Sequence, residues 1–193
     1  MAKAGKSGVT TNTPDHIILG AGTIHKNLKE DNNWANLEES IIGATKGGST
    51  LSIAPEFHKI EADGSLVPVK GLTFKVGEAA TLTVNFLEIT KELLKLAVVG
   101  KDGTSANTEY DVIETKADIE EGDYLENIAF VGKTAKGKKI IVILYNALCT
   151  SGLELEGKNK EEGIVKLVFE SHAELDGAHD TVGVKVYYPK ETE

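Results

Sequence analysis

Between Glu78 and Ile89 apolar and polar side chains change places at almost every step. Leu82, Val84 and Phe86 fall on one side, and Thr81, Thr83 and Asn85 on the other. A period of two belongs to a strand with one buried face and does not fit a helix, whose repeat is 3.6. Shorter versions of the pattern recur along the chain, as in residues 49–60, where Leu51, Ile53 and Phe57 share a face. Strands are expected over 16–27, 49–60, 67–76, 78–89, 108–115, 124–132, 138–146, 152–157, 162–173 and 181–188. Asp63-Gly64, Asp102-Gly103, residues 132–137 and Asp176-Gly177 supply turn chemistry between them. One stretch breaks the rule. Thr90 is placed to cap a helix over 91–99, with Leu93, Leu94, Ala97 and Val98 on one face, Lys91, Glu92 and Lys95 on the other, and Gly100 as a stop. A helix of about nine residues does not hold alone, so it must dock on a sheet. The expectation is a mainly β, sandwich- or barrel-like fold with one flanking helix, formed as a single domain over residues 16–193.

The first fifteen residues stand apart. They are small, polar and aperiodic, and they read as a flexible arm over 1–15 with no apolar core of a signal peptide. No window approaches the roughly 18 apolar residues of a membrane span. The single cysteine, Cys149, lies in an apolar run and reads as a buried thiol in a protein that folds in a reducing cytosol. Charge narrows the partners further. The formal net charge is −9, and all 21 basic residues are lysines. Arginine is the preferred fork for phosphate and for guanine edges, so an acidic chain without it is poorly suited to tight nucleic-acid binding.

No constellation of catalytic side chains emerges, and the chain reads as neither an enzyme nor a metal or cofactor binder. Residues 43–50 suggest a phosphate loop, but Lys46 precedes Gly47-Gly48 and a strand pattern follows where a P-loop needs a helix. A turn that needs positive φ explains the glycines better. Gly20-Ala21-Gly22 is a fragment of a dinucleotide fingerprint without its βαβ context and reads as a bulge in the first strand. The run from His172 through Glu174, Asp176 and His179 to Asp180 has metal-binding residue types but no standard spacing, and it reads as a solvated turn. His16, His25 and His58 are isolated on strands and read as surface or interface residues.

Residues 28–48 form a connection of unusual length for a compact domain, and such connections are usually functional. This one carries the only tryptophan, Trp34, followed by Leu37, Ile41 and Ile42, and then Gly43, Lys46, Gly47 and Gly48. These eight residues are the candidate interface between subunits, since tryptophan buries a large area at small entropic cost. The alternative is that Trp34 and the isoleucines fold back and cap the chain's own core.

The order of motifs resembles the major tail proteins, or tail tube proteins, of tailed phages of Gram-positive hosts. The resemblance runs over about residues 16–188. It rests on the glycine-broken strand Ile17–Thr23, on Gly43-Ala-Thr-Lys-Gly-Gly48 leading into a strand, and on Ile60–Gly64 and Val69–Gly71. It continues with the strand-to-helix passage Thr81–Leu94, and with Val168–Ala173 followed by a short tyrosine-containing strand. The resemblance implies a sandwich-like subunit of which six close into a ring, with rings stacking into a hollow tube in the virion tail, assembled in the host cytoplasm. Its partners would be further copies of itself, the tail tip or initiator complex, the tape measure and the tail terminator, while viral DNA passes the lumen without tight binding. The tube of a phage-derived contractile bacteriocin and a β-sandwich binding or adhesion module remain the alternatives.

Overall fold

The computed structural model describes residues 8–31, 34, 37–157, 159–177 and 179–190. One helical turn, α1 (Thr13–His16), precedes β1 (Ile18–Lys26). A 3-10 turn over Leu37–Ser40 leads to β2 (Thr45–Lys59) and β3 (Thr73–Phe86). The flanking helix α2 (Lys91–Ala97) and the small hairpin of β4 (Gly100–Gly103) and β5 (Val112–Thr115) follow. The chain ends in β6 (Leu125–Thr134), β7 (Lys139–Cys149), β8 (Val165–Ser171) and β9 (Val184–Tyr187). The fold is mainly β.

Seven of these strands form one antiparallel sheet in the order β1-β6-β7-β8-β3-β2, with β9 added on β7. β7 lets the sheet fold over on itself. One edge pairs with β6 along most of its length, while the other pairs with β9 at Ile141–Leu144 and with β8 at Ala147–Cys149. Asn146 sits at the handover with φ of 48°, a left-handed conformation that asparagine tolerates better than most residues. Its side-chain amide donates to Glu174 Oε1 at 2.9 Å. The ends of the sheet then meet. His25 of β1 bridges Ile41, and the Ile42 amide donates to the Ile24 carbonyl at 3.1 Å.

The main core lies between the faces brought together in this way. Leu82, Val84 and Phe86 of β3 and Leu167 and Phe169 of β8 pack with Ile24, Ile128, Val142 and Leu144. Leu93 and Ala97 of α2 join the same cluster. The helix is capped by Thr90, whose hydroxyl accepts from the Leu93 amide at 3.2 Å. Lys91 and Lys95 pair with Asp102 of β4, which fastens the helix to the small hairpin. A second cluster lies on the outer face of β6 and β7, where Ala129, Val131, Ile141 and Ile143 pack with Leu28.

The glycine-broken first strand is a bulge, with the register shifting between Leu19 and Thr23. Gly22 has φ of 70°, and a Cβ there would meet the Phe130 ring at 2.4 Å, so no other residue fits. Several expected boundaries move. The strands expected over 67–76 and 78–89 are one strand that starts at Thr73, because Gly77 stands at an irregularity of the β2–β3 ladder and does not end it. Residues 152–157 form no strand. β4 forms where only a turn was expected, and the strand expected over 108–115 contracts to β5. Of the arm expected over 1–15, residues 1–7 lie outside the described residues. Within the remainder, Asp15 of α1 accepts from Lys136 at 2.7 Å. No helix among the described residues is long and apolar enough to cross a membrane.

Candidate assembly surface

The β2–β3 hairpin outgrows the sheet that carries it. β8 accompanies β3 only from Thr81 to Phe86. From Thr73 to Ala79 strand β3 has β2 alone as its ladder partner, a projecting length of ~24 Å at about 3.4 Å per residue. Beyond it the chain turns at Asp63-Gly64, where Gly64 has φ of 85° and the Ser65 amide donates to the Ala62 carbonyl at 3.0 Å. Large apolar side chains of the arm and its tip stand in solvent among charged ones. Leu66 is 98% exposed, Phe57 57% and Phe74 48%, and Ile60, Val67, Val69 and Val76 are exposed as well. A two-stranded hairpin by itself is marginally stable in water, and large apolar side chains gathered on one in solvent make it a candidate interaction site. The outer edge of β2 is also open. Among the described residues its regular ladder is with β3 alone, and β9 at the far end of the other layer pairs with β7 alone. Pro55 lies on β2, consistent with an edge strand. At the root of the arm Lys75 and Glu78 pair at 2.7 Å. The Lys75 ammonium, and with it the Val182 amide, holds the Glu78 carboxyl below the ordinary carboxylate value.

The eight residues expected at an interface separate into three groups. Trp34 and Leu37 are half-buried against the second cluster, with the Trp34 ring edge-on to Tyr187 at 5.0 Å. Ile42 is buried in the main core, and Gly43 packs beside Leu93 and Phe86. Ile41, Lys46, Gly47 and Gly48 lie at the surface around the start of β2. Lys46 pairs there with Glu162. Gly47 and Gly48 both have φ of 83° and produce the register shift between Thr45 and Ser49. The structure therefore does not bring the eight together. Within the chain Trp34 takes the core-capping position, while the surface group lies at the start of β2, at the end of the β2–β3 hairpin away from the projecting arm.

Residues 27–31 and Trp34 form a strap across the outer face of β6, β7 and β9. Asn127 of β6 holds its start, accepting from the Leu28 amide at 2.8 Å and donating to the Leu28 carbonyl at 3.1 Å. Glu30 then accepts from the hydroxyls of Tyr145 and Tyr187 and from Lys185 Nζ at 3.1 Å. These donors, led by Tyr145, keep the Glu30 carboxyl below its ordinary value. Burial and the same carboxylate push the Tyr145 phenol up. The Tyr145 hydroxyl and Glu30 together hold Lys185 well above the usual ammonium value. Lys139 Nζ donates to the Trp34 carbonyl at 3.1 Å.

The segment around His172 and His179 does not converge on a point. His172 Nδ1 lies 3.0 Å from the Glu170 carbonyl with its ring edge-on to Tyr124, and His179 Nε2 lies 2.9 Å from the Glu174 carbonyl. Among the described residues no group of three or more histidine, cysteine or acidic side chains is placed to hold a metal ion. Cys149 is buried, and burial pushes its thiol up. The glycine-rich run at 43–50 opens β2 and no helix, which removes the geometry of a phosphate loop.

The projecting arm was missed in the sequence. Its signal was present in Leu66, Val67 and Val69, apolar residues beside a turn where polar ones are the rule. No protein-family model matches the chain, and no curated protein matches it.

Proposed function

We propose that this chain is a structural, non-enzymatic subunit that assembles with copies of itself into stacked rings, as the tube of a phage tail around a DNA-conducting lumen. The observation that carries the reading is the projecting β2–β3 arm, which presents apolar side chains and an open strand edge to solvent. Such an edge templates pairing with another chain unless it is covered. One copy offers open edges on different strands, among them β2 and β9. Contacts between unlike surfaces repeat head to tail and close into a ring when the rotation allows. An acidic chain without arginine suits the wall of a lumen through which DNA must pass without being held. The partners in this reading are other copies, with tail tip, tape measure and terminator at the tube's ends, in the virion.

Negative-stain microscopy of the concentrated purified protein tests it. Rings or rods are expected, and a strictly monomeric protein at every concentration overturns the reading. A second reading, a binding or adhesion module that grips an unrelated partner, is favoured by the same arm projecting beyond the sheet. It requires the monomer that the first reading forbids.

A further inference from the structure

His25 lies at the sheet closure and is 1% exposed. It is the residue of β1 that bridges Ile41. Both ring nitrogens are engaged, Nδ1 with Ser40 Oγ at 2.9 Å and Nε2 with Thr23 Oγ1 at 2.7 Å. The Ser40 hydroxyl donates its one proton to the Leu37 carbonyl at 2.9 Å, so toward His25 it accepts. Nδ1 therefore carries the ring proton, and Nε2 accepts from the Thr23 hydroxyl. The donor chain runs from Thr23 through His25 and Ser40 to Leu37, and it ties β1 to the 3-10 turn that delivers Ile41 and Ile42.

The groups packed around the ring offer a second proton no counter-charge. The residue opposite on β6 is Ala129, flanked by Ile128 and Phe130. On β1 the neighbouring Lys26 is a cation already paired with Glu92 of α2. In the 3-10 turn Glu38 and Glu39 are exposed, and the side chain that meets His25 is the neutral Ser40. A proton on Nε2 places a charge in a buried ring and turns that nitrogen into a donor facing a hydroxyl that was itself donating.

We propose that His25 is a proton-sensitive pin of the sheet closure: neutral, it holds residues 37–42 against β1, and protonated, it lets that turn go while the β3–β8 ladder stays paired. Burial, partly offset by the Leu37 carbonyl, pushes the imidazole below its ordinary value of 6.5. A depressed folded value means that the pin contributes fully above 6.5 and is lost as pH falls through the lowered value. The inference is independent of the assembly reading, since residues 37–42 lie at the end of the β2–β3 hairpin away from the projecting arm.

Nitrogen NMR of the His25 ring in the intact protein, together with amide exchange at about pH 7.5 and about pH 5, tests this. The expected ring is the Nδ1–H tautomer with a midpoint below 6.5. The expected exchange of the Ile42 amide, corrected for its intrinsic rate, rises about tenfold at the lower pH relative to amides of β8. His25→Gln keeps an amide that can donate and accept but does not titrate, and its Ile42 protection should not change with pH. An Nε2–H tautomer, a midpoint at or above 6.5, Ile42 protection indifferent to pH, or a His25→Gln variant with the wild-type response each overturns the proposal. If that variant fails to fold, the wild-type tautomer, midpoint and exchange decide alone.

Discussion

From Thr81 to Phe86 strand β3 runs between β2 and β8 beneath the opposite layer, and Ala80, Leu82, Val84 and Phe86 are fully buried. From Thr73 to Ala79 the same strand has only β2 beside it, and Phe74 and Val76 stand in solvent. Composition does not separate the halves, since both carry large apolar side chains and both pair with β2, the outer one across an irregularity at Gly77. What differs is the cover. The inner half has β8 as a second neighbour and α2 with β6 and β7 above it, and the outer half has only the segment around Val182 beside Glu78 at its root and no second strand. Alternation specifies a strand with a face to hide, and the rest of the chain decides whether the cover is internal.

Removing a covered side chain should have the largest effect. Leu82→Ala in the inner half empties a fully buried site and should cost about 3–5 kcal/mol, read by chemical denaturation. A loss below about 1 kcal/mol would break the contrast between the halves. The cover itself comes next. Leu93→Ala removes the helix residue that reaches the core and should cost about 2–4 kcal/mol. Leu94, only half-buried on the same helix, should cost about 1 kcal/mol when changed to alanine.

The strap is an intermediate case, a cover made of half-buried residues. Trp34→Ala should cost about 1–2 kcal/mol, less than full burial of a tryptophan would give. Its hold is polar and therefore titrates. Glu30 has a lowered folded value, so its bonds to Tyr145, Tyr187 and Lys185 stabilise the strap above the ordinary carboxylate range and are lost as pH falls through the lowered value. Trp34 is the only tryptophan, so its fluorescence reports the strap directly. The emission should move to the red in acid for the wild type and already at neutral pH for Glu30→Gln, with far-UV circular dichroism unchanged. Identical emission from the two proteins at neutral pH would show that Glu30 does not hold the strap.

Much of this architecture was legible because its signals are local. The period of two gave β2, β3, β6, β7 and β8, Thr90 gave the helix start, and Gly20 and Gly22 gave the bulge in β1. What stayed hidden depends on partners distant in sequence. Residues 152–157 have a strand's alternation, yet they join no ladder. His25 reads as a surface or interface residue on its strand, whereas Ser40 and Ile41 fold back over it and it is buried. Trp34 and Ile42 sit close in sequence but occupy opposite faces of the sheet, one on the second cluster and one in the main core. The interface expected from residues 28–48 relied on their being together.

The smallest effect on the folded subunit should come from the arm, and there the comparison is sharpest. Phe57 stands opposite Lys75, and Phe74 opposite His58, on a stretch of ladder that no other strand supports. Neither phenylalanine belongs to either core cluster. Phe57→Ser with Phe74→Ser therefore removes two large apolar surfaces from solvent and opens no cavity, and it should leave the unfolding free energy within about 0.5 kcal/mol of the wild type. Serine keeps the backbone ladder available, so the hairpin can persist while its apolar faces are gone. If a second copy covers the arm, that change should abolish rings and rods in negative stain and leave a monodisperse monomer by light scattering. A loss of several kcal/mol would mean that the arm is packed within its own subunit. Normal assembly from the folded double variant would mean that its apolar side chains are not what the copies share, leaving the backbone edge of β2 as the part of the arm still able to join them.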